Sequence, residues 1–199
     1  MAVTYTNRKG TKYFLCRGVT KTGKARYFFA REPKNELVER IPEGYEISES
    51  VNGMVSLAKV RPAILLETEI LAVKHALENH PRASLYRMDA KARQITVYER
   101  EGPDPREVIR EISERFGLLG FSRDDLAARF EAEKLSRGQF APVMRFTLID
   151  EQRRRFKAER MCYLGSIDNW IAIGFDKPID ELARSLIPAL GSDEFFELF

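Results

Sequence analysis

The stretch Thr4–Glu32, TYTNRKGTKYFLCRGVTKTGKARYFFARE, decides how the first part of the chain folds. Residues with high strand propensity alternate here with two groups rich in turn residues, Asn7–Gly10 and Val19–Gly23. Short strands bounded by such turns pair with their neighbours as a meander. We therefore expect three antiparallel strands, at Ala2–Thr6, Thr11–Gly18 and Lys24–Ala30.

The loop between the second and third expected strands determines what each face of this sheet carries. If Lys21-Thr22-Gly23 is a three-residue loop with Gly23 in the left-handed conformation, even-numbered residues of both strands share one face. That face, the even face, would be basic and aromatic, with Lys12, Phe14, Cys16, Lys24, Arg26 and Phe28. The odd face would be mainly apolar, with Tyr13, Leu15, Tyr27 and Phe29. A two-residue turn at Thr22-Gly23 would mix the two sets, so both registers stay open.

Charge is distributed unevenly along the chain. Of the 33 basic and 30 acidic side chains, nine basic and one acidic lie within residues 1 to 35, so this segment carries +8 and the remainder −5. The next segment, Glu36–Glu49, supplies five glutamates against one arginine. Such a contrast indicates either a polyanionic partner or docking of the two segments on each other.

The sequence after the meander predicts a further hairpin and then a mixed region. Tyr45–Ser50 and Met54–Val60 form strands around Val51-Asn52-Gly53, since Asn-Gly is typical of tight hairpins. Beyond Pro62, the expected helices are Glu69–His80 capped by Thr68, Arg106–Phe116, a helix from Ser122 to about Ser136, and Ile179–Leu190. The expected strands are Leu85–Asp89, Gln94–Arg100, Ala141–Ile149, Arg155–Leu164 and Trp170–Phe175. The third of these alternates, with Met144, Phe146 and Leu148 on one face.

This order of elements predicts an α+β fold with mostly antiparallel sheet. An N-terminal β-meander unit would cover residues 1–60, and a mixed helix and hairpin unit would cover residues 61–199. One continuous domain is the alternative.

Several function classes lack the residues that they require. No run approaches the roughly 18 apolar residues of a spanning helix, and the first ten residues lack the apolar core of a signal peptide, so we expect a cytoplasmic protein. Cys16 and Cys162 are far apart, and His75 and His80 do not share one helical face, so we expect neither a metal nor another cofactor. Phosphate-loop, dinucleotide, serine-hydrolase and zinc-peptidase motifs are absent, and we assign no catalytic residue.

The leading functional hypothesis is a non-catalytic protein that binds DNA or RNA through its N-terminal sheet. Cations on turns and on one face of a sheet can neutralise phosphates while neighbouring rings stack on bases. The residues expected to do this are Arg8, Lys9, Lys12, Phe14, Lys21, Lys24, Arg26 and Phe28. The competing interpretation is that these cations solvate a small sheet or pair with the acids of Glu36–Glu49.

Two other function classes stay open. A protein-interaction or self-assembly module would use an exposed edge strand of the N-terminal unit or the aromatic side chains Tyr13, Tyr27 and Phe29 of the odd face. A metal-dependent nuclease would use Asp89 and Glu99, which lie on neighbouring expected strands and could hold Mg²⁺. Such sites commonly carry a lysine two positions after the second acid, where this chain has Glu101, so the non-enzymatic interpretation is favoured.

Three segments carry a resemblance to other proteins. TKTGKARYFFARE (20–32), IPEGYEISESVNG (41–53) and CYLGSIDNW (162–170) resemble stretches of an uncharacterised family of bacterial hypothetical proteins. The resemblance covers the first third of the chain and a patch near its end. It implies a bacterial cytosolic origin, and it implies no activity and no site residues.

Overall fold

A computed structural model describes the backbone of residues 1–116, 133, 137–164 and 167–197, and the side chains of these except 112–116, 164, 167 and 168. The chain has the expected α+β fold with antiparallel sheets. Two compact units are present, Met1–Arg61 and Pro62–Phe199, called here the N-terminal and C-terminal units. The helix expected from Ser122 to about Ser136 falls largely outside the described residues.

The N-terminal unit contains two small antiparallel sheets. Its strands are β1 (Thr4–Thr6), β2 (Lys12–Val19), β3 (Ala25–Ala30), β4 (Glu36–Leu37), β5 (Tyr45–Glu49) and β6 (Val55–Lys59). β2 is central in the first sheet, with β3 along one edge and both β1 and β4 along the other. β5 and β6 pair only with each other. The three strands of the meander are therefore as expected, and the two-residue strand β4 is an addition that the sequence pattern did not indicate.

The same turn design closes all three hairpins of this unit. In each hairpin, a polar residue and the residue four positions later flank a three-residue loop. The last residue of each loop is a glycine with positive φ, a conformation in which any other residue would be strained by its Cβ atom. The side-chain oxygen of the polar residue accepts the backbone N–H of the residue that follows the glycine, at 2.8 to 3.1 Å. The flanking pairs of the three loops are Asn7 and Thr11, Thr20 and Lys24, and Ser50 and Met54.

The C-terminal unit is built on one five-stranded antiparallel sheet in the order β11-β10-β9-β8-β7. The strands are β7 (Tyr86–Lys91), β8 (Gln94–Arg100), β9 (Phe140–Asp150), β10 (Arg155–Leu164) and β11 (Ile167–Lys177). The helices are α1 (Glu67–Glu78), α2 (Pro105–Phe116), α3 (Ile179–Leu186) and α4 (Asp193–Glu197). None of the helices in the described ranges is long and apolar enough to cross a membrane.

One face of this sheet forms the core. β9 alternates as expected, with Met144, Phe146 and Leu148 buried, because residues two apart share a face. Side chains opposite them on β8 and β10 join the same cluster, and α1 and α3 add apolar side chains to it. α3 ends at Leu186 rather than Leu190, since Pro188 cannot donate a backbone hydrogen bond and the chain continues as a 3-10 turn.

An ion pair holds the start of α1. The helix begins at Glu67, so Thr68 is not its cap, and Glu69 instead accepts the backbone N–H of Leu66 at 2.8 Å. Both carboxylate oxygens of Glu69 also accept hydrogen bonds from Arg154, which lies in the turn between β9 and β10. The Glu69 side chain is 8% exposed and that of Arg154 is 27% exposed, so loss of the Glu69 charge would leave a half-buried guanidinium without its partner.

We expect Glu69→Gln to lower the free energy of unfolding by about 1–3 kcal/mol, because charged hydrogen bonds at a buried site are replaced by weaker neutral ones. Chemical denaturation of the full chain measures this change. Glu78→Gln is the matched control on the same helix. Its exposed pair with Lys74 should contribute no more than about 0.5 kcal/mol, so an equal loss in both variants would contradict the assignment.

Candidate nucleic-acid interface

The register of β2 and β3 is the one that the three-residue loop predicts. Cys16 lies opposite Phe28, and Gly18 lies opposite Arg26. Thr20 and Lys24 close the loop by a hydrogen bond of 2.8 Å from the Thr20 N–H to the Lys24 carbonyl, and Gly23 has a φ of 80°. The even and odd faces therefore carry the expected residues. Arg17 adds a cation to the odd face, opposite Tyr27.

The eight expected site residues are divided between the two ends of β2. Arg8 and Lys9 lie in the loop before β2, and Lys12 and Phe14 lie on its first half. Lys21 lies in the loop after β2, with Lys24, Arg26 and Phe28 following it along the hairpin. The β1–β2 loop and the β2–β3 loop project from opposite ends of the sheet, so these residues do not form one compact patch.

Arg8 is engaged by an acid of the Glu36–Glu49 segment. Its backbone N–H and its Nε donate to Oε1 of Glu49 at 3.0 and 2.8 Å, and the Tyr5 hydroxyl donates to Oε2 at 2.9 Å. Burial opposes ionisation of Glu49, but the hydrogen bonds from Arg8 and Tyr5 outweigh it and hold the pKa of Glu49 below its usual value. The hydrogen bond to Glu49 likewise raises the pKa of Tyr5. The charge of Arg8 is therefore compensated within the unit.

A second contact fixes this end of the sheet. Nδ2 of Asn7 donates to the carbonyl of Gly53 at 2.6 Å, which joins the β1–β2 loop to the β5–β6 loop. The aliphatic stem of Lys9 also lies against Gly53, with Cγ 3.3 Å from the position that a Cβ atom would occupy. Lys9 is consequently half-buried at a loop-to-loop contact.

Two other acids of the segment have partners away from the β2–β3 loop. Glu36 pairs with Arg17 at 3.4 Å, on the odd side of the sheet, and Glu39 pairs with the N-terminal amino group at 3.2 Å. Among the residues that the structure describes, no carboxylate forms an ion pair with Lys21, Lys24 or Arg26. The acidic segment thus leaves the second basic end uncompensated.

A connection that the sequence pattern did not indicate crosses the even face. β3 and β4 lie on opposite edges of β2, so residues 31–35 must pass over the sheet. Nδ2 of Asn35 lies 3.1 Å from the Cβ position of Gly18, and the Phe28 ring lies 3.2 Å from it, which places the crossing on the even face. Cys16 is fully buried, and Phe14 and Phe28 are half-buried. The connection itself is exposed and adds Arg31 and Lys34 to the basic surface.

These two cations were not among the expected site residues. Arg31 and Lys34 are visible in the sequence only as charge, and Pro33 between them indicates a break in the strand. Their position over the even face depends on β4 pairing with the far edge of β2, and a two-residue strand has no recognisable sequence pattern.

The odd face is partly covered within the N-terminal unit. Leu15 is fully buried, whereas Tyr13, Tyr27 and Phe29 are half-buried. β6 contacts β3, so the second sheet lies close to this hairpin. The aromatic side chains that could bind a protein partner are therefore only partly available.

Asp89 and Glu99 do not come together as a metal site would require. Asp89 lies opposite Thr96 and Glu99 lies opposite Tyr86, which puts the two carboxylates on different faces of the sheet. Lys91 pairs with Asp89, and the Tyr86 hydroxyl donates to Glu99 at 2.9 Å. Within the described ranges, no three Asp, Glu, His or Cys side chains are grouped so that they could hold a metal ion.

The contact between Arg8 and Glu49 makes a pH-dependent prediction. Because the pKa of Glu49 is lowered in the folded state, the pair stabilises the fold above the usual pKa of 4.5, and this contribution is lost as the pH falls through the lower folded value. The amide resonance of Arg8 should shift with a midpoint below 4.5 in an NMR titration. Glu49→Gln should abolish the shift, whereas Glu46→Gln on the same strand should leave it in place. A midpoint at or above 4.5 would contradict the assignment.

The comparisons with known proteins place no further constraint on this interface. The chain matches no protein-family model, no curated protein and no solved structure.

Proposed function

We propose that the protein binds nucleic acid, without catalysis, through the basic even face of its N-terminal sheet and the connection that crosses it. The observation that carries this proposal is the separation of charges within the N-terminal unit. Three of its six acids are held by Arg8, Arg17 and the N-terminal amino group, while Lys21, Lys24 and Arg26 remain exposed and unpaired among the described residues. Unpaired cations of this kind release condensed counterions when they meet phosphates, and that release is the main source of non-specific affinity.

The dimensions of the even face suit a phosphate backbone. Lys12 and Gly18 are six residues apart on β2, about 20 Å at roughly 3.3 Å per residue of strand. One strand of B-DNA places a phosphate about every 3.4 Å along its axis, so this length corresponds to about six phosphates. Cations at both ends of the face can therefore contact phosphates of one duplex at the same time.

The aromatic residues of the face support the proposal to a smaller degree. Phe14 and Phe28 keep part of their surface exposed, and Nζ of Lys12 lies 5.4 Å from the centre of the Phe14 ring. A base stacked on an exposed part of either ring would remain close to a cation. Such stacking tolerates any sequence, because every base has a π face.

A salt series tests the proposal. With Lys12, Lys21, Lys24, Arg26 and, on the connection, Arg31 and Lys34 each neutralising one phosphate, log affinity for duplex DNA should fall with log salt at a slope of about −5.4, and for single strands at about −4.2. Fluorescence anisotropy with labelled oligonucleotides measures both slopes. Lys24→Ala combined with Arg26→Ala should reduce the duplex slope by about 1.8.

The matched control is Arg17→Ala, which removes an arginine of the same hairpin that pairs with Glu36 on the odd face. Its slope should stay close to that of the parent chain. No binding of DNA or RNA at low salt, or equal loss in both sets of variants, would overturn the proposal.

Self-association is a second candidate function, supported by a different feature. β11 is the last strand in the order of the five-stranded sheet, and Phe175 on it is 65% exposed. An edge strand with a large exposed apolar side chain is a template for pairing with another chain.

Light scattering at two concentrations tests this second candidate. The average mass should rise with concentration for the parent chain, because pairing is bimolecular, and Phe175→Lys should remain monomeric. A constant monomer mass for both proteins would rule it out. An equally strong rise for both would show that β11 is not the contact.

A further inference from the structure

The end of the β2–β3 hairpin, residues Val19–Arg26 and called here the hairpin tip, is exposed on both sides of its sheet. Val19 on the odd side is 74% exposed, and Lys24 and Arg26 on the even side are exposed as well. No atom of a described residue lies within 4 Å of the Cβ position of Gly23. The other two loops of the unit contact each other, but this one projects into solvent as a two-stranded ribbon.

The hairpin tip is also well ordered by its own hydrogen bonds. Thr20 donates its N–H to the Lys24 carbonyl at 2.8 Å and accepts the N–H of Gly23 on its own carbonyl at 3.0 Å. Oγ1 of Thr20 accepts the N–H of Lys24 at 3.1 Å and lies 3.0 Å from Oγ1 of Thr22. Because these bonds set the shape of the loop before any ligand binds, binding would cost little ordering entropy.

We infer that the hairpin tip inserts into the major groove of double-stranded DNA, an inference that rests on the proposed function. The major groove of B-DNA is about 12 Å wide and about 8.5 Å deep and admits a two-stranded β-ribbon. Beyond the Val19–Ala25 pair the tip adds the Thr20–Lys24 pair and a three-residue turn, roughly 7 Å of backbone, which together with the side chains of the turn spans that depth. The minor groove, about 6 Å wide, is too narrow for two strands that lie about 4.8 Å apart with side chains on both sides.

The positive charges of the hairpin tip are complementary to the phosphates that flank the major groove. Lys21 lies at the end of the ribbon, while Lys24 and Arg26 follow along one of its strands. Lysines at these positions reach phosphates on either side of the groove. Arg26 has the planar group that can contact the O6 and N7 atoms of guanine together.

The same geometry argues against other nucleic acids. The major groove of an A-form RNA helix is too deep and narrow for side chains to read, and a single strand has no groove to hold a ribbon. We therefore expect duplex DNA to bind at least tenfold more tightly than an RNA duplex of the same sequence or either DNA strand alone.

The experiment compares these three labelled probes by anisotropy, each two helical turns long, with the full chain at one salt concentration. Methyl green, which occupies the major groove, should displace the protein, and netropsin, which occupies the minor groove, should not. Lys21→Glu should weaken duplex binding at least tenfold. Lys74→Glu, an exposed lysine on α1, is the matched control and should change binding little.

The outcomes separate this inference from the function on which it rests. Tighter binding of the single strand or of RNA, or displacement by netropsin alone, would overturn groove insertion and leave nucleic-acid binding standing. Competition by polyglutamate as strong as competition by duplex DNA would also overturn it, since the surface would then recognise acidic polymers in general. Failure of all three probes to bind would remove the proposed function itself.

Discussion

The hydrogen bond between the Thr20 N–H and the Lys24 carbonyl is the constraint on which the N-terminal unit depends. It closes a loop of three residues and so fixes which residues of β2 and β3 face each other. A shift of one residue along either strand would move its side chains to the opposite face. Lys24 and Arg26 would then join the apolar side chains of the hairpin, and the separation between a basic and an apolar face would be lost.

Charge compensation in this unit follows from where its loops meet. The β1–β2 loop contacts the β5–β6 loop, and Glu49 at the end of β5 therefore reaches Arg8. The β2–β3 loop meets no such partner among the described residues, so the cations near it keep their hydration. Two basic loops of similar composition thus have different electrostatic surroundings, because only one of them packs against an acidic strand end.

Features set by neighbouring residues could be predicted from the sequence, whereas features set by distant contacts could not. Each hairpin of the N-terminal unit has a loop glycine, and the register of β2 and β3 is the one that a three-residue loop ending at Gly23 gives, which was one of two registers left open by the sequence. Strand alternation predicted Met144, Phe146 and Leu148 as core. The crossing of residues 31–35 was not expected, because a two-residue strand carries no periodic pattern. Pairing of the cations with Glu36–Glu49 was expected only as an alternative, and the sequence did not indicate that Arg8 would pair with Glu49. Thr68 was expected as a cap because its type favours that position, but Glu69 and Arg154 determine the start of α1 together.

The crossing connection also implies an order of events during folding. β4 reaches its edge of β2 only by passing over the sheet, so its pairing with β2 closes a longer stretch of chain than the β2–β3 hairpin does. The β2–β3 hairpin closes a short loop, which costs less chain entropy and forms faster than contacts between distant segments. Cys16 lies on the even face that this connection crosses and is fully buried in the folded chain, so we expect its thiol to become protected when the crossing forms. The accessibility of a single thiol therefore reports how far the N-terminal unit has folded.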